Sequence, residues 1–158
     1  MNQKNVTTLD PHRKESEDSI VHFPLPNLVQ GSHKLILHKE RRTLSLICDG
    51  TDGPNLVQQE ILSDNELQII IPILSVFPHY CPYEVLLASV ISRSTMESTV
   101  TNWRIRLQEA HYKGTWQQEI RPLRRALSPL RRKLYSFGLG ISTLREKGCS
   151  VTSIVPGE

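Results

Sequence analysis

The sequence predicts an α+β fold that opens with an antiparallel sheet, continues through helices and closes on a hairpin. Three observations carry this reading. Apolar residues alternate with period two between His33 and Gly50, recur at helical spacing between Asp64 and Leu134, and return to a strand-turn-strand pattern after Gly138. A length of 158 residues suits one domain, which usually takes roughly 100–200 residues.

Residues 1–30 read as a disordered N-terminal arm. They mix charge with Pro11, Pro24 and Pro26 and show no sustained apolar period, so ordering them would cost more entropy than burial returns. The clump Ile20-Val21-His22-Phe23 is assigned no regular structure. Residues 31–158 form the expected folded domain. In it, Leu35 and Leu37 share one face of a strand, Leu44 and Leu46 share one face of the next, and Lys39 to Arg42 join them. The stretch DGTDGPN is dense in turn residues, and Leu56 to Ile61 supply a third strand.

Ser63-Asp64-Asn65-Glu66 is a capping box, so a helix should follow with Leu67, Ile70, Ile71 and Leu74 on one face. Pro72 should kink that helix or end it early. Pro78 and Pro82 bracket a loop before a second helix over Tyr83 to Val90. Ser94-Thr95-Met96-Glu97 reads as another capping box. Val100, Trp103, Leu107 and Ala110 then make a helical stripe that Gly114 closes with a left-handed cap. The last helix carries Ile120, Leu123, Leu127, Leu130 and Leu134 on a single face. At 100° per residue, Arg121, Arg125 and Arg132 fall opposite, with Arg124 and Arg131 flanking. Gly138 caps it. Ile141 to Leu144, a turn at Arg145 to Gly148, and Ser150 to Val155 make the final hairpin.

Composition narrows the function classes. Charged residues are 22% and hydrophobic residues 38%, as in a globular soluble protein. The longest apolar stretch, Ile69 to Phe77, is broken by Pro72 and falls far short of the about 20 residues that span a membrane. The polar N-terminus lacks a signal-peptide core. Cys48, Cys81 and Cys149 are odd in number and widely spaced, which points to a reducing, cytoplasmic compartment rather than a disulfide scaffold or zinc site. Net charge is only +3, but its distribution is uneven. Arg121, Arg124, Arg125, Arg131, Arg132 and Lys133 crowd into 14 positions without an acid, leaving 13 basic against 16 acidic residues elsewhere. An otherwise acidic chain with one concentrated basic helix face fits duplex DNA, where guanidinium groups displace condensed counterions.

Three segments carry a resemblance. Leu62-Ser63-Asp64-Asn65-Glu66-Leu67 resembles the start of the first helix in OmpR/PhoB-type DNA-binding domains. Leu127 to Leu134 is similar to the end of that family's recognition helix, and Thr143 to Cys149 resembles its wing. The pieces occur in the family's order over roughly residues 33–155, which implies a winged helix-turn-helix: N-terminal antiparallel sheet, three core helices and a hairpin wing. Departures are Glu146 for a glycine, Cys149 for the wing aromatic, and Pro129 at a position where the family often has an arginine. Residues 91–119 are an insertion holding a helix of its own. The arm is too short for a receiver domain.

The resemblance implies roles. Arg121 and Arg131 would touch phosphates and Arg125 would contact a base in the major groove, where its fork suits guanine. Thr143 would contact a phosphate and Arg145 would enter the minor groove. Arg124 and Arg132 are backbone contacts on helical geometry alone. The expected activity is sequence-specific duplex DNA binding in transcription regulation, in the cytoplasm at the nucleoid. A tandem homodimer on DNA, and RNA polymerase or another regulatory protein, are the implied partners. The alternative is a protein-protein interaction module that kept the fold and lost base readout.

No other motif competes. The sequence carries no catalytic spacing, so no enzyme and no cofactor are expected. His33 and His38 point to opposite faces of a strand, and His79 with Cys81 sits in a proline-bounded loop, so no metal site is expected either. Gly138 to Thr143 begins like a phosphate loop but lacks its third glycine. Trp103 and Trp116 are assigned to the core rather than to a partner anchor.

Overall fold

The computed structural model describes residues 20–23 and 33–154. The chain divides into two units, Met1–Ile61 and Leu62–Glu158. The fold is α+β with antiparallel pairing in both units.

In the first unit, period-two alternation builds a four-stranded sheet in the order β1-β2-β3-β4. The strands are β1 (Ile20–Phe23), β2 (His33–His38), β3 (Thr43–Gly50) and β4 (Gly53–Ile61). Leu35 faces Leu46 and Leu37 faces Leu44, and all four are buried. Two expectations change. The clump Ile20 to Phe23 is a strand, because Phe23 aligns with Leu35 and lengthens the buried row. Four residues are too few to display a period. The reversal in DGTDGPN takes only Thr51 and Asp52, with Gly53 at φ 107 in a conformation that a side chain would strain. The other residues of the expected 1–30 arm, and Val155, lie outside the described residues.

The second unit begins with helix α1 (Asp64–Ser75). Its capping box forms as expected: Glu66 N–H donates to Ser63 Oγ at 3.2 Å and Ser63 N–H donates to Glu66 Oε1 at 2.7 Å. Leu67, Ile70 and Leu74 are buried. Ile71 is only half-buried, however, and Ile69 and Ile73 are fully buried instead. This helix meets two helices and a strand, so its interior face is broader than one stripe. Pro72 does not end the helix, which continues to Ser75. The missing amide frees the Gln68 carbonyl, and Ser89 Oγ donates to that carbonyl at 2.7 Å. A buried hydroxyl on the next helix thus completes the first helix.

That next helix is α2 (Tyr83–Val90), preceded by a two-residue strand β5 (Cys81–Pro82). The insertion contains two helices, α3 (Glu97–Lys113) and α4 (Trp116–Glu119). The second capping box does not form. Met96 is the N-cap and no side chain caps the helix, while Ser94 Oγ accepts instead from the amide of Met96 itself. Trp103, Leu107 and Ala110 are buried as the stripe requires, and Gly114 takes the left-handed cap at φ 73. Trp103 Nε1–H donates to Ser92 Oγ at 2.9 Å, as a core indole needs a partner.

Helix α5 (Arg121–Tyr135) follows, then strands β6 (Leu139–Leu144) and β7 (Gly148–Ser153). All of Ile120, Leu123, Leu127, Leu130 and Leu134 are buried, each contributing about 2 kcal/mol of apolar burial. Pro122 lies in the first turn, where a missing amide costs little. Strands β5, β7 and β6 pair in that order. The hairpin starts two residues earlier than its sequence pattern indicates, and its turn is Arg145 to Lys147. Strand β5 is not foreseen from sequence, since two residues, one of them proline, carry no period.

One ion pair ties α1 to α5. Lys133 Nζ donates to Glu66 Oε1 at 2.6 Å, and Glu66 is 2% exposed. Burial pushes the Glu66 carboxyl up, but the Lys133 ammonium and the Ser63 amide outweigh it and hold the carboxyl below its ordinary value. A depressed folded value adds stability that is complete above the ordinary 4.5 and lost as pH falls through the lowered one. Glu66→Gln should therefore cost about 1–2 kcal/mol at pH 7 and flatten the acid limb of the stability curve. Urea titrations between pH 3 and 7 check this; an acid limb as steep as the parent's would refute the assignment.

Candidate nucleic-acid interface

The apolar seam of α5 dictates where its arginines go. With Leu123, Leu127, Leu130 and Leu134 inside, Arg121, Arg124, Arg125 and Arg132 emerge on the solvent side, and all four are exposed. Among the described residues none of the four forms an ion pair. Their charge is therefore available to an outside anion.

Hairpin β6–β7 brings Thr143 and Arg145, both exposed. Thr143 lies directly opposite Cys149 in the ladder, so the two share a face. Arg145 occupies the turn. Glu146, beside it, adopts φ 60. This left-handed conformation suits glycine and strains a glutamate. The resembled wing has a glycine at this position. His111 Nδ1 on α3 lies 3.3 Å from Glu146 Oε1, which ties the turn to the insertion.

Two members of the basic run are committed elsewhere. Lys133 is paired with Glu66, as above. Arg131 is half-buried, and its Nε–H donates to the Ile141 carbonyl at 3.3 Å. It clamps α5 onto β6 through Nε, while its Nη groups have no partner among the described residues. Sequence spacing could not reveal either commitment, because Glu66 lies 67 residues from Lys133. Pro129 is half-buried in the last part of α5, and the helix continues past it to Tyr135.

Tyr83 is the residue the sequence reading passes over. It is buried at the start of α2, its ring 5.7 Å from Trp116 in an edge-to-face arrangement. Trp116 is half-buried and so only partly in the core. Burial, then the neighbouring Cys149, pushes the Tyr83 hydroxyl up, against an opposing pull from Arg124 and Arg131. Cys81 and Cys149 lie opposite each other across β5–β7, fully buried. Burial pushes their thiols up to about 12 and about 11. They stay protonated and inert, acting as packing groups.

Among the described residues no group of three or more metal-ligating side chains converges. His79 is exposed while Cys81 is buried, so that pair does not converge. Gly138, at φ 76, follows α5 as a turn rather than opening a phosphate loop. Among the described residues no helix is long and apolar enough to cross a membrane. Comparison with known protein families, curated proteins and solved structures finds no match to this chain.

Proposed function

We propose that residues 62–154 are a winged helix-turn-helix of OmpR/PhoB-like type that binds duplex DNA sequence-specifically in transcription regulation. The observation that carries this reading is the stripe of Arg121, Arg124, Arg125 and Arg132, exposed and unpaired among the described residues, beside a hairpin bearing Thr143 and Arg145. Helix α5 takes the major groove, with its apolar seam against the domain and its guanidinium groups toward bases and phosphates. The hairpin reaches the neighbouring minor groove through Arg145. Arg131 acts from within, by fixing the hairpin to the helix.

Selection of bound duplexes from a random library at about 150 mM salt tests the reading. An enriched motif recurring at about 10–10.5 bp is the expected result and indicates tandem copies on one face of the duplex. Arg125→Ala should then relax preference at a single base pair by about 1–3 kcal/mol. Unchanged preference in that variant would remove Arg125 from base readout.

A second reading has its own support. Ile105 and Tyr112 on α3, and Met96 before it, are exposed apolar side chains on the insertion, Tyr112 at 89%. A protein-protein module would use that surface, with RNA polymerase or another regulatory protein as partner. One stoichiometric partner in a pull-down, with no affinity for any duplex, would select this alternative.

A further inference from the structure

Between α5, the start of α2 and β6 lies a cavity of about 240 Å³. One wall is apolar, made by Ile120, Leu123 and Leu127. Tyr83, Arg124, Arg131 and Thr143 line it as well and supply its polar side chains. No carboxylate lines it. Arg131 spends Nε on Ile141, but its Nη groups, the Arg124 guanidinium and the Thr143 hydroxyl have no partner among the described residues.

We propose that this cavity binds a phosphate group borne on a small apolar body, that is, a phosphomonoester of low molecular mass. Two planar forks and one hydroxyl match a tetrahedral oxyanion, which offers several acceptors to each. The apolar wall excludes water on one side, which strengthens charge-assisted hydrogen bonds and accepts a short hydrocarbon or ring. The volume lies below the about 300–1,000 Å³ of sites for drug-sized ligands, so the body is small. The site shares Arg124 and Thr143 with the proposed duplex interface, so an occupied cavity competes with a backbone phosphate at the helix–hairpin junction. The same phosphate chemistry has two sources, a free ester or a nucleic-acid backbone.

The test uses the full chain at constant ionic strength, titrated with phenyl phosphate and with inorganic phosphate against chloride. Amide shifts at Arg124 and Thr143 and the melting temperature are read together. Saturable binding is expected, tighter for the ester than for the inorganic ion. Arg124→Met, at an exposed and unpaired position, should keep the fold and raise Kd at least tenfold. Thr143→Val should raise it about threefold. A linear response in the parent, or a Kd in Arg124→Met within threefold of the parent's, overturns the proposal. A duplex arm separates the sources. Displacement of the ester by duplex identifies a site shared with the backbone. Ester binding with no duplex binding keeps the cavity and rejects the DNA reading. Duplex binding without ester binding rejects the cavity alone.

Discussion

On the proposed DNA-binding reading, neutralising Arg121, Arg124, Arg125 and Arg132 together to glutamine should lower affinity for duplex DNA about a thousandfold at about 150 mM salt, with the fold intact. The magnitude follows from counterion release. Each phosphate neutralised contributes a slope of about 0.9 in log K against log salt, so the three backbone contacts of Arg121, Arg124 and Arg132 amount to about two decades at that concentration, and the base contact of Arg125 adds about one more. The fold should survive because all four side chains are exposed and make no ion pair among the described residues. Removing clustered like charge even relieves some repulsion within the helix. Fluorescence anisotropy across a salt series is the measurement, and the slope should flatten by about three. A quadruple variant that binds duplex as tightly as the parent, with the same slope, would take α5 out of the groove.

Gly148→Ala should cost about 3 kcal/mol of stability or more. A Cβ on Gly148 would run into the backbone of Cys81 and of Pro82, which face it across the β5–β7 ladder. Flexible side chains give way, but main chain does not, so the strands must part or the residue must twist. Overpacking of a rigid site costs about 1–3 kcal/mol, and a backbone collision lies at the upper end or beyond. Parting these strands also disturbs the buried rung of Cys81 and Cys149 and the Tyr83 amide bond to the Lys147 carbonyl. Denaturant melts of Gly148→Ala and of Gly140→Ala give the comparison. Gly140 meets only the side chains of Ile154 and Thr152, which can move, so its variant should lose clearly less. Equal losses would mean that the close strand approach is not what requires the glycine.

How far such features were legible in the sequence depends on how far apart the partners lie. Helix α5 was readable because five large apolar residues, from Ile120 to Leu134, repeat by threes and fours, and at least one polar residue stands in every gap. The same rule faltered in α1, where QIIIPIL is apolar almost throughout and period cannot choose between Ile71 and its neighbours. The capping box at Ser63 formed, whereas the one at Ser94 did not. Both have the right residues, so the local motif permits a cap without compelling it. Strands β1 and β5 are defined by what they pair with, not by their own four and two residues. The site divides likewise. Exposure of Arg121, Arg124, Arg125 and Arg132 follows from helical phase. The capture of Lys133 by Glu66, the clamp of Arg131 on Ile141 and the cavity beside Tyr83 arise from chain segments brought together only by folding.

The Ser89 hydroxyl on the Gln68 carbonyl has a consequence for how the second unit opens. Proline at position 72 removes a rung that α1 would otherwise supply for itself, and α2 supplies the replacement. Detaching α2 alone would leave that carbonyl without a donor in the interior. Neither helix can fray inward past this point without the other, so the pair forms one cooperative unit for amide hydrogen exchange. Protection in the middle of α1 should rise and fall with protection in α2, at a single opening free energy.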